Sequence, residues 1–98
     1  MAFTDEIIEK VWEKGTIVPS YDNKKFRKDQ CEAWIVRDQY GNRNSVYGWE
    51  IDHITSVANN GGDELSNLRP LQWQNNVHTS DGRLKCKITS NEDKNLEK

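Results

Sequence analysis

Residues 49–54 read WEIDHI, a tryptophan and two isoleucines interleaved with Glu50, Asp52 and His53. The alternation is that of a half-buried strand, whose successive side chains face opposite sides of a sheet. Such a strand gains nothing from an acid set directly beside an imidazole, because half-buried charge is costly unless something pairs with it. An isolated Asp-His dipeptide is most often structural, two side chains bonded to each other or capping a turn. Its neighbours decide whether it is more than that.

Bulk properties leave room for little scaffold. The chain has 98 residues, 34% apolar and 31% charged, with a net charge of −2. That is one small domain with a thin core. Burial must therefore rest on large rings, Trp12, Trp34, Trp49 and Trp73 among them, each removing on the order of 150–250 Å² from water. No apolar run approaches the roughly 20 residues that cross a bilayer, and the acidic start MAFTDEIIEK is unlike a secretion signal. Cys31 and Cys86 have no partner at CxxC spacing. Reduced thiols and a cytoplasmic location are expected, with a single disulfide between the two left open.

Charge is unevenly spread. Lys24, Lys25, Arg27, Lys28, Arg37 and Arg43 outnumber Asp29, Glu32 and Asp38, and Arg83, Lys85 and Lys87 outnumber Asp81. Between these segments Glu50, Asp52, Asp63 and Glu64 face only Arg69. An acidic centre flanked by basic segments suits a cation site that meets a polyanion, although ordinary surface alternation produces the same pattern.

The first element is a helix. Thr4 is placed to cap it, Asp5 and Glu6 complement its dipole, Phe3 and Ile8 form a hydrophobic staple, and Lys14-Gly15 ends it. Residues 31–54 predict strand, turn and strand around GNRN at 41–44. ANNGGDELSN at 58–67 predicts a loop. Pro70 suits the first position of a following helix that ends at Asp81-Gly82, and the polar SNEDKNLEK at 90–98 predicts a flexible tail.

From Asp52-His53 the chain runs through Gly61-Gly62 to Asn67, which opens NLRPL, and nine residues later to Asn76 in the expected helix. With YGWEIDHI, LSNLRPLQWQNN and the upstream RKDQCEAWI, this order and spacing resembles the HNH endonuclease family, over about residues 27–81. The resemblance implies an α+β fold: a small ββα-metal (His-Me finger) domain with an added N-terminal helix and a short upstream β-hairpin. Residues 1–23 would be scaffold, 24–89 the nuclease domain and 90–98 the tail.

It also implies roles. His53 would be the general base, and Asn67 would orient its ring through its side-chain amide or its backbone carbonyl. Asp52 and Asn76 would hold a divalent cation, with Mg²⁺ or Mn²⁺ favoured because two protein oxygens leave positions open for water and phosphate. Phosphodiester hydrolysis needs in-line attack, so the base and the cation must stand on opposite sides of phosphorus. Adjacent strand residues achieve that. Lys24, Lys25, Arg27, Lys28, Arg69 and Arg83 would meet the backbone of DNA, expected to be duplex and bound weakly with little sequence preference. No membrane partner is expected.

Neighbouring residues receive blander readings. Glu50 reads as solvated or lysine-paired, with a supporting role at the cation as the alternative. Asn75 would be the ligand only in a shifted helix register. His78 reads as a surface or phosphate-contacting residue, and Trp49 and Trp73 as core. The chain also departs from the family. Of two CxxC pairs that often hold a structural zinc only Cys31 is present, with Trp34, Gln72 and Asn75 at the other positions, so a four-cysteine zinc is excluded on ligand count. Thr79 stands where the family often has lysine. The rival function is an HNH-fold binding or assembly module without turnover.

Overall fold

A computed structural model describes residues 3–77 and 83–98. Helix α1 (Asp5–Trp12) starts as its sequence dictates, with the Thr4 hydroxyl accepting from the Ile7 amide at 3.2 Å. Its apolar stripe buries Ile8, Val11 and Trp12 in a core with Ile35, Trp49, Ile51 and Leu68. Trp49 is the centre of that core. Its ring packs on Trp12 at 5.3 Å and edge-on to Tyr40 at 4.9 Å.

The remaining elements form an α+β structure with three two-stranded antiparallel sheets. Strands β1 (Phe26–Lys28) and β2 (Trp34–Val36) form the upstream hairpin. Strand β3 (Trp49–His53) pairs with β4 (Leu68–Gln72), which sets Ile51 opposite Pro70, Asp52 opposite Arg69 and His53 opposite Leu68. Helix α2 (Trp73–Val77) follows β4 directly. Strands β5 (Ile88–Asn91) and β6 (Lys94–Glu97) close the chain.

Four expectations are corrected here. The strand-turn-strand unit expected across 31–54 does not form, because β2 pairs upstream and β3 downstream. Arg37–Gln39 make a 3-10 turn instead, since this polar stretch offers no apolar alternation to lay along β3, whereas Leu68 and Leu71 do. Pro70 lies in β4 rather than at a helix start. In a two-stranded sheet one edge of β4 carries no ladder, and a missing N–H facing that edge is tolerated. The segment expected as a flexible tail is the β5–β6 hairpin, tied down by Asn95, whose side chain accepts from the Trp34 amide at 2.6 Å and donates to the Trp34 and Val46 carbonyls. Finally, the thiols expected to be reduced are joined as the Cys31–Cys86 disulfide. Among the described residues no helix is long and apolar enough to cross a membrane.

Where a zinc site was ruled out, a carboxylate takes over. Asp29 is 2% exposed. Its Oδ1 accepts from the Cys31 and Ala33 amides, and its Oδ2 from the Gln72 amide and the Asn75 side chain, all at 2.9–3.0 Å. The β1–β2 turn is thereby fixed to the β4–α2 junction. Substituting Asp29→Ala leaves these buried donors unpaired and should destabilise the domain by about 3 kcal/mol, measured by urea unfolding. A loss below about 1 kcal/mol would show that water replaces the carboxylate.

Candidate active site around His53 and Asp52

His53 ends β3 on the side of Trp49 and Ile51, its ring 6.2 Å from that of Phe3. Its Nε2 lies 2.6 Å from Asp63 Oδ1. A carboxylate at that nitrogen selects the tautomer with hydrogen on Nε2 and leaves the Nδ1 lone pair to accept a proton. Asp63 was not singled out from the sequence. Its one signal is an acid directly after Gly61-Gly62, in the loop that must return past His53.

Asn67 does not orient the ring through a direct contact. It is buried, its amide donating to the Thr55 and Gly62 carbonyls while its Oδ1 accepts from the Thr55 amide. Its backbone carbonyl accepts from Ile54. The residue staples the loop between β3 and β4, and that loop delivers Asp63. Gly61 is required for the closure, because a Cβ there would lie 1.7 Å from the Thr55 carbonyl oxygen.

The opposite face of β3 carries Glu50 and Asp52. Asp52 Oδ2 accepts from Arg69 Nε at 2.7 Å, and the two side chains are only 8% and 12% exposed. Asn76, expected beside Asp52, bonds Glu50 Oε1 at 2.8 Å. Glu50 is also gripped by Arg43 through both carboxylate oxygens, at 2.7 and 2.9 Å. It is therefore neither solvated nor lysine-paired. Burial pushes the Glu50 carboxyl up, but the hydrogen bonds from Arg43 and Asn76 and the Arg43 charge outweigh it, leaving Glu50 below its ordinary value.

Asn75 is fully buried and structural. It donates to Asp29 and the Ile88 carbonyl and accepts from the Lys87 and Ile88 amides. The helix register thus presents Asn76, not Asn75, to β3. Glu50, Asp52 and Asn76 supply hard oxygen donors on one face, a set suited to Mg²⁺ or Mn²⁺. Among the described residues no three His, Cys, Asp or Glu side chains converge as a metal cage.

The basic residues divide. Lys24, Lys25 and Arg83 are exposed, and Lys28 lies over the Trp34 ring at 4.9 Å. Arg27 leaves the expected DNA surface. It is 8% exposed and donates to the carbonyls of Glu13, Gly15 and Asn23, which makes it an internal staple. His78, Thr79 and the Asp81-Gly82 helix end lie outside the described residues.

Comparison with family models, with curated proteins and with solved structures finds no match to this chain.

Two substitutions check this geometry. With Arg43→Ala, Glu50 should titrate at higher pH than in the parent protein, read by carboxyl NMR. The stability that pairing gives is present above the ordinary glutamate value and lost as pH falls through the lowered one. An unmoved titration would show that Arg43 does not hold Glu50. Asn75→Ala should destabilise by about 2–3 kcal/mol while Asn76→Ala stays within about 1 kcal/mol. The reverse order would shift the register by one residue.

Proposed function

We propose that this chain is a divalent-metal-dependent endonuclease of the HNH type, hydrolysing phosphodiester bonds of DNA. The supporting observation is the coincidence of sequence order with architecture. Asp52-His53 end one strand, Asn67 closes the loop to its antiparallel partner, and Asn76 lies on the helix directly after that partner. His53 would take a proton from water at Nδ1, with Asp63 holding the ring. Asp52 and Asn76, with Glu50 beside them, would hold the cation. When bound, it would supply positive charge against the departing 3′ oxygen.

Lys24 and Lys25 would contact backbone phosphates, giving weak, salt-sensitive and largely sequence-independent binding. The disulfide favours oxidising surroundings over a reducing cytoplasm. One observation favours the rival reading of a binding module without turnover: Arg69 already occupies Asp52.

Plasmid nicking with and without Mn²⁺ separates the two. His53→Ala should lower the rate by about 10²–10⁴-fold, and Asp63→Asn by about 10–100-fold through loss of ring orientation. A folded His53→Ala protein that cleaves at the parent rate would remove His53 as the base. No nicking by the parent protein under any divalent ion would favour the binding module.

A further inference from the structure

Arg69 holds the strongest unexplained feature of the site. Its Nε is spent on Asp52, its Nη1 only reaches Gln30 Oε1 at 3.5 Å, and its Nη2 is buried with no hydrogen-bond partner among the described residues. A buried guanidinium donor without an acceptor is unfavourable. Beside it opens a recess of about 210 Å³ lined by Arg69, Gln30, Lys14 and Ile54, with Lys28, whose ammonium is turned to the Trp34 ring, and Asp29, whose oxygens are already taken by their four donors. Lys14 is anchored there by the carbonyls of Leu65 and Leu68. Arg69 and Lys14 bring positive charge to the recess, and the missing partner is an acceptor. A phosphate oxygen satisfies both conditions.

We propose that Arg69 is a phosphate-operated latch on Asp52. Resting on the nuclease reading above, it makes a nucleic-acid phosphate the partner that regulates the cation site. With the recess empty, the guanidinium neutralises Asp52 and competes with any cation for its carboxylate. A backbone phosphate entering the recess bonds the Nη2 group and draws Arg69 off Asp52. The carboxylate is then open to a divalent ion. Cation and nucleic acid therefore strengthen each other's binding, and linkage requires the effect to be equal in both directions. The device would keep the site closed to cations until a substrate backbone is in place.

Calorimetric titration with Mn²⁺ tests this without reading activity. In a His53→Ala background, which prevents turnover, a short DNA duplex should tighten Mn²⁺ binding on the order of tenfold. Arg69→Gln should tighten Mn²⁺ binding without DNA by a similar factor and abolish the effect of the duplex. Arg69→Lys, which keeps a cation against Asp52, should restore weak binding. If Arg69→Gln fails to fold, the duplex arm in the His53→Ala protein and the Arg69→Lys titration still decide the matter. Mn²⁺ binding that Asp52→Ala abolishes, but that neither duplex nor Arg69 substitution changes, would overturn the latch and leave the nuclease reading standing. No Mn²⁺ binding by any form, with or without duplex, would overturn both.

Discussion

The Asp29 carboxylate accepts four hydrogen bonds in a site nearly closed to water, and the placement of α2 depends on it. A five-residue helix has no stability of its own in water. Here the Gln72 side chain caps it by accepting from the Gln74 and Asn75 amides, while Asp29 receives the Gln72 amide and the Asn75 side chain. Trp73 pins the same turn through the Gly48 and Ser45 carbonyls. Only with that start fixed does Asn76 project toward Glu50. The disulfide acts beside this hub, joining Cys31, whose amide donates to Asp29, to Cys86, between α2 and β5 in the chain. Bridging residues 55 apart restrains the unfolded chain by about 4 kcal/mol in the chain-entropy account. That is a large share of the stability expected of a domain this small.

The β3–β4 pair then divides the chemistry between two faces. On one, a carboxylate fixes the imidazole of His53. On the other, two acids are held by two arginines, Glu50 by Arg43 and Asp52 by Arg69. The pairs differ in kind. Arg43 is exposed, so water and salt compete with its grip on Glu50. Arg69 and Asp52 are almost buried, where an ion pair is strong but was costly to desolvate. A buried pair that leaves one guanidinium nitrogen without a partner among the described residues is poorly optimised as a structural device.

Local signals in the sequence fix single elements, and relational ones do not show in it. Thr4, Phe3 and the stripe Ile7, Ile8, Val11, Trp12 act within one helix, and α1 forms where they place it. WEIDHI is a strand because its period is its own. Which strand pairs with which depends on contacts distant in sequence, so β2 and β3 were joined where the fold separates them. Pro70 is not legible as a strand residue because its tolerance in β4 depends on which strand edge stays unpaired, a property of the whole sheet. The β5–β6 hairpin was missed because its anchor, Asn95 on the Trp34 backbone, spans 61 residues. In the site, Asp52 and His53 lie on opposite faces as the alternation requires. Their partners Arg69 and Asp63 come from β4 and the loop; the acid after Gly61-Gly62 is the one local signal for Asp63, and nothing local ties Arg69 to Asp52. Arg27 shows the same limit in reverse: its basic neighbours suggested a surface residue, and three backbone carbonyls bury it.

The proposed nuclease requires a divalent cation on the Glu50, Asp52 and Asn76 face of β3 and α2. Paramagnetic broadening by Mn²⁺ in an amide NMR spectrum, recorded with a short DNA duplex present and His53 replaced by alanine, tests it most directly. Signals of residues 50–53 and 75–77 should broaden first, ahead of those in β5 and β6. Broadening centred on another acidic surface, or spread evenly over the chain, would contradict it.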